Sequence, residues 1–357
     1  MGWASDSCYL FSQAGRATLE AMFEAVTVIN SRVSRMSSVA EVTGFTRFNV
    51  SFDAPSSTQS KSLYANGNMQ VRILVTLRGK DKDGKSVPLT PSIYHTVRLI
   101  NYRTGEVLQG NWQVSDRPNQ FWYAMSGSDA APAPLESVEP DITVLEYWVS
   151  SSVVDTVHIG AAVILNDRII RTNNTTVGDK HDSSVMLVAE APVTYAIEDF
   201  KLERVRSEGR WSHEIFHCYL GLYPGGRQLR LVDWSAADDG HHHRLTRSVF
   251  EAYGGFIDND YRWYVSCKLA AVKDKEVFLV LPPEKGERID EVYYVKVNDR
   301  DGELSIVRGV GESFSSDTYV RKETFNFTAY DVYGTAHKLR VRPDFDKRPA
   351  DFILERG

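Results

Sequence analysis

The sequence predicts a mainly β protein of two or three sandwich domains, preceded by one amphipathic helix. Three observations carry that expectation. From Leu63 onward, apolar residues keep a period of two in one run after another. These runs are rich in β-branched and aromatic residues, recur at roughly 8–15 residues and are parted by Gly, Pro, Asn and Asp, as in sandwiches and barrels. Only one long segment, Ala14–Met36, shows three-to-four spacing instead.

In that segment Leu19, Met22, Phe23, Val26, Ile29, Val33 and Met36 share a face, with Arg16, Glu20, Glu24, Arg32 and Arg35 between them. Such a helix packs on its own domain or docks elsewhere. "DAPSSTQSKS" (Asp53–Ser62) follows and reads as a linker or exposed loop. Residues 1–62 are therefore expected to be an N-terminal helical segment and linker. Residues 63–195 are expected to form the first sandwich region, with an internal boundary possible in the Ala- and Pro-rich stretch 128–141. Residues 196–357 are expected to form a second sandwich domain.

Met69, Val71, Ile73, Val75 and Leu77 alternate along a strand that stops at the Asp81–Gly84 turn. "YHTVRLINYRTGEVLQGNW" repeats the device around Thr104-Gly105, and "PNQFWYAM" is a further aromatic strand candidate. Beyond residue 141, β-branched runs fold back at an Asn166-Asp167 turn. "VTLRGKDKDGKSV" and "VKVNDRDGELSI" share a strand, D-x-D-G turn and strand plan, which suggests two sandwiches built alike. Asp81, Asp83, Asp299 and Asp301 are read as turn carboxylates, because the pattern lacks the first Asp and distant Glu of a calcium loop.

"YANGNMQVRILVTLRGKDKDGKSV" (Tyr64–Val87) resembles the opening strands of bacterial immunoglobulin-like repeats of the invasin or adhesin type. The likeness lies in the "ANG" start, the period-two strand and the D-x-D-G turn. It implies immunoglobulin-like sandwiches, hence a fold of two or three such domains. Tyr94, Tyr102, Trp112 and Trp122, which follow, are more aromatic than that family's pattern.

The 357 residues carry 42% hydrophobic, 11% aromatic and 25% charged residues, the balance of an ordinary globular chain. A formal charge of −6 supplies no basic footprint for nucleic acid. No apolar run reaches the roughly 18 residues of a membrane helix, so no transmembrane segment is expected. Cys8, Cys218 and Cys267 form no C-x-x-C and read as free thiols. "MGWASDSCYLFSQAGRA" lacks a basic region followed by an apolar one. Cytoplasmic synthesis, followed by particle assembly, lysis or non-Sec export, is the expectation.

His213-Glu214-Ile215-Phe216-His217 spells H-E-x-x-H, the zinc-peptidase signature. On a helix, His213 and His217 would share zinc, Glu214 would take a proton from bound water, and His241 in "DDGHHHR" would offer a third ligand. The surrounding sequence argues for a strand. "HCYLGLYPGGRQLRLVDW" has the form of a β-hairpin around a Pro224-Gly225 type II turn. A strand would part the two imidazoles by about 13 Å and turn Glu214 to the opposite side. The expected reading is therefore no catalytic residue, no metal and no cofactor. Zinc and the roles of Glu214, His213, His217 and His241 belong to the peptidase alternative only.

No P-loop, G-x-S-x-G elbow or dinucleotide fingerprint occurs. Trp112, Trp122, Tyr123, Trp263 and Tyr264 are candidate stacking residues for sugars or a protein partner. The expected function is that of a non-enzymatic modular β-protein acting by surface contact. It would be a component of a phage or phage-like particle, or a bacterial surface or secreted binding protein, oligomeric or particle-associated. Its partners would be other protein subunits or a cell-surface receptor or glycan. The alternatives are a zinc metallopeptidase and a secreted toxin with glycan- or membrane-binding β-domains.

Overall fold

The computed structural model describes residues 41–53, 58–125, 139–209, 213–236, 249–258, 261–281, 291–313, 324–344 and 351–357. The chain is mainly β with several antiparallel sheets. The helix expected at Ala14–Met36 lies outside the described residues.

The N-terminal strands are β1 (Gly44–Phe52), β2 (Ser60–Tyr64), β3 (Val71–Lys80), β4 (Ser86–Val87), β5 (Arg98–Asn101), β6 (Trp112–Ser115), β7 (Ile142–Ser151), β8 (Asp155–Leu165), β9 (Arg168–Arg171) and β10 (Val185–Glu190). One sheet runs β1-β3-β7-β6 with β4 beside β3, and a second runs β2-β10-β8-β5 with β9 beside β8. The two face each other across one core. Met69, Val71, Ile73, Val75 and Leu77, the residues picked out by period two, are all fully buried in it. Val157, Ile159, Ala161, Val163 and Leu165 on β8 and Val185, Leu187 and Ala189 on β10 complete it from the other side. Each buried Val, Leu, Ile or Met side chain contributes about 1.5–3 kcal/mol by leaving water.

Strand pairing runs across two of the expected boundaries. The limit at residue 62 falls inside β2, and β1 pairs with β3 over nearly its whole length, so the sheets begin by Gly44. β2 is short and polar, and it is held by a parallel ladder to β10, more than 120 positions away. No local pattern announces such a partner. The boundary near 128–141 does not divide the sheets either, because β6 before it pairs with β7 after it, Trp112 opposite Ser151. "PNQFWYAM" forms no strand but crosses to the other half of the chain.

The C-terminal strands are β11 (Phe200–Gly209), β12 (His213–Leu222), β13 (Leu231–Ala236), β14 (Val249–Asp258), β15 (Tyr261–Leu269), β16 (Glu276–Leu281), β17 (Glu291–Lys296), β18 (Leu304–Ser313), β19 (Phe325–Asp331), β20 (Ala336–Asp344) and β21 (Asp351–Arg356). A β11-β12-β18-β15-β14 sheet packs on a β13-β19-β20-β21 sheet through Phe216, Cys218, Leu220, Leu304, Ala329 and Leu339, among others. Its opposite face is covered by the β16–β17 hairpin through Val277, Leu279, Leu281 and Val295.

The Pro224 turn forms as the sequence indicates: Gly225 takes a φ of 57° and the Gly226 N–H reaches the Tyr223 carbonyl at 3.0 Å. The hairpin around it does not extend. The only backbone pairing is a bridge between Leu222, the end of β12, and Leu229, ahead of β13, and the two strands then enter different sheets. The two D-x-D-G units also diverge, since β3 and β4 share a sheet whereas β17 and β18 do not. Their likeness is confined to the turns.

Candidate functional site

The H-E-x-x-H stretch is strand β12, paired with β11 on one side and β18 on the other. Alternation then decides where each side chain goes. Phe216, Cys218, Leu220 and Leu222 fill the core against the β19–β20 sheet, while Ile215 packs under the β16–β17 hairpin. His213 and His217 lie on the Ile215 face, both buried, with Glu214 on the other side. Four residues of extended chain separate the imidazoles by about 13 Å. Each has its own partner: His213 Nδ1 meets the Tyr293 hydroxyl at 3.0 Å, and His217 Nε2 meets Ser305 Oγ at 2.9 Å. Among the described residues, no three His, Cys, Asp or Glu side chains are grouped so as to hold a metal ion. His241 lies outside the described residues.

A stack runs from His217 to the surface. The Tyr219 ring lies 4.0 Å from that of His217, and the Arg300 guanidinium sits 3.7 Å from the Tyr219 centroid. Glu203 and Glu303 pair with Arg300. Its pairing with Glu203 raises the Arg300 pKa and lowers that of Glu203. Burial, helped by the Arg300 charge and opposed by Asp299, holds the His217 imidazole below its ordinary value. The Tyr223 hydroxyl donates to Glu303, which pushes its pKa up to about 12. Arg300 was not singled out from the sequence, since its role depends on a turn meeting a strand some 80 positions away.

In each D-x-D-G turn at least one carboxylate is held by the protein itself. Asp81 Oδ1 accepts from the Asp83 and Lys85 N–H groups, and Asp301 is held by Arg230 at 2.7 Å.

Trp112, Trp122 and Tyr123 each have a separate ring or hydrogen-bond partner. Trp112 is buried in the first core and donates its Nε1 to Asp155 at 3.1 Å. Tyr123 packs at 5.1 Å against Trp148, beside Arg72, which is held by Glu146 at 2.9 Å. Trp122 meets Tyr333 edge-on at 5.4 Å. Trp263 and Tyr264 sit on β15, whose pairing places them opposite Gly254 and Tyr253 of β14.

Tyr333 belongs to the feature that joins the two halves. The turn between β19 and β20, Asp331-Val332-Tyr333-Gly334-Thr335, is built on a buried carboxylate. Asp331 Oδ1 accepts from the Tyr333 and Thr335 N–H groups at 2.9 and 3.0 Å, and its Oδ2 meets His337 Nε2 at 3.1 Å. The turn docks on the "ANG" stretch: Asn66 donates to the Tyr333 carbonyl at 2.9 Å and Asn68 to the Gly334 carbonyl at 2.8 Å. The Trp122 N–H reaches the Val332 carbonyl at 2.7 Å, and Gln120 reaches Asp233. Tyr64, Trp122 and Tyr333 close the seam. Burial, with the Asp331 charge nearby, pushes Tyr195 up to about 12. The "ANG" start was singled out in the sequence, the β19–β20 turn was not, and nothing in either says that they meet.

Among the described residues, no helix is long and apolar enough to cross a membrane. The chain matches no protein-family model and no curated protein. Among solved structures it is similar to the C-terminal domain of AspA, an antigen I/II-family protein of Streptococcus pyogenes. The identity is 9%, over 82% of this chain and 97% of that one, and the TM-score is 0.21. A likeness that slight transfers neither fold nor activity to this chain.

Proposed function

We propose that the chain is a non-enzymatic, modular β-protein of immunoglobulin-like sandwiches that acts through surface contacts. It serves as a component of a phage or phage-like particle, or as a bacterial surface or secreted binding protein. The observation that carries this reading is the junction of Asn66 and Asn68 with the β19–β20 turn. A polar, aromatic-sealed seam fixes two sheet pairs relative to each other, which is what a scaffold needs to present its connecting segments at a set geometry. A second support is that β12 commits both histidines to packing partners on the protein.

The test has two arms. Gel filtration of the full chain, with binding of labelled chain to bacterial cells and to a glycan array, should show self-assembly or surface binding. Metal analysis after dialysis against zinc should show no tight stoichiometric ion. Monomeric chain that binds neither surface, together with one zinc per chain lost on His217→Ala, would replace this reading with the peptidase.

A further inference from the structure

Leu339 and Val341 of β20 are buried in the second core, so Lys338, Arg340 and Arg342 stand on the opposite face of the same strand. At about 3.4 Å per residue the row spans about 14 Å. Lys338 is exposed, and the Arg340 and Arg342 side chains are each 41% exposed. Among the described residues, the one carboxylate paired with them is Glu355 of β21. Its Oε2 accepts from Arg340 Nε and Nη2 at 3.1 and 2.5 Å, and its Oε1 accepts from Arg342 Nε at 2.9 Å. That bridge holds both guanidinium groups on one carboxylate. It leaves both Nη groups of Arg342 and the Lys338 ammonium without a protein partner among the described residues. Three cations against one carboxylate make a local positive surplus on a chain whose formal charge is −6.

Polar side chains extend this face across β19 to β13. Arg340 lies opposite Asn326, and Lys338 lies opposite Thr328, which in turn faces Ser235. Asn326 and Ser235 are exposed. Hydroxyl and amide groups beside planar guanidinium forks suit a chain that carries both hydroxyls and repeated anionic groups. The aromatic residue that β19 contributes here, Tyr330, packs on Phe121 at 6.2 Å and offers no open ring for nucleic-acid bases. We propose that the face carrying Lys338, Arg340 and Arg342 binds a sulfated polysaccharide. The assignment rests on the surface-contact reading above and gives it a ligand class.

The test measures binding of the full chain to heparin fragments at physiological salt. The wild type should bind, and heparin should slow phenylglyoxal modification of Arg340 and Arg342. Lys338→Gln, Arg340→Gln and Arg342→Gln together should weaken binding about tenfold, the value of three exposed ion pairs. Lys82→Gln, Lys85→Gln and Arg103→Gln remove the same charge from exposed turns of the first half and should leave binding unchanged. Equal weakening by both triple variants would reduce the effect to net charge and overturn the proposal. Arginine modification untouched by heparin would overturn it even where the first triple variant fails to fold. Single-stranded DNA bound as tightly, and lost with the same variant, would assign the face to nucleic acid and overturn it too. A chain that attaches to bacterial cells but not to heparin would remove this ligand and leave the surface-contact reading standing.

Discussion

Gly334 and Asn68 approach so closely that a Cβ at position 334 would lie 2.4 Å from the Asn68 Cβ and 3.0 Å from the Phe121 ring. Gly334 also takes a φ of 74°, where any side chain is strained. Gly334→Ala should therefore cost about 2–4 kcal/mol, the sum of backbone strain and overpacking. Urea denaturation measures the loss. Small-angle scattering should show the two halves loosening before either unfolds. A variant with unchanged midpoint and unchanged scattering would remove the junction from the account.

Asp331 is 1% exposed and serves three partners at once: two backbone N–H groups and His337. Asp331→Ala strands all three and should cost about 3–5 kcal/mol. Asp331→Asn keeps the Oδ1 acceptor for the two N–H groups and should cost clearly less. Equal losses in the two variants, read from denaturant midpoints, would contradict the role given to that oxygen.

Stability should depend on pH through His217. Burial holds its folded-state pKa below the ordinary 6.5, so near that pH the unfolded chain takes up a proton that the folded chain refuses. The stabilisation is fully present above pH 6.5 and is lost as pH falls from there through the folded-state value. Urea midpoints measured from about pH 7.5 down to about pH 5 should fall for the wild type, with a shallower slope for His217→Gln. Identical slopes would show that His217 titrates in the native state as it does in water.

What was legible in the sequence was local. Period two placed Met69 to Leu77 in the core, and Asn166-Asp167 formed a turn with both residues at positive φ, 49° and 59°. The strand at His213–Leu222 followed from a turn and an alternation that no helix satisfies. Partners distant in sequence were not legible. β2 looked like linker because its ladder is supplied by β10, and the Pro224 hairpin splits because β12 and β13 find better partners in β18 and β19. The ring partners of Trp122 and Tyr123 were not legible either. Their aromatic character was plain, but the rings they meet are Tyr333, far along the chain, and Trp148.

His213–His217 is extended chain wedged between β11 and β18, with its two imidazoles facing separate partners. Backbone chemical shifts and cross-strand contacts by nuclear magnetic resonance on selectively labelled chain test it most directly. β-type Cα and Cβ shifts are expected from His213 to Leu222, with contacts from His217 to Val205 and Val307. Helical shifts across the segment, with contacts between His213 and His217 one turn apart, would contradict it.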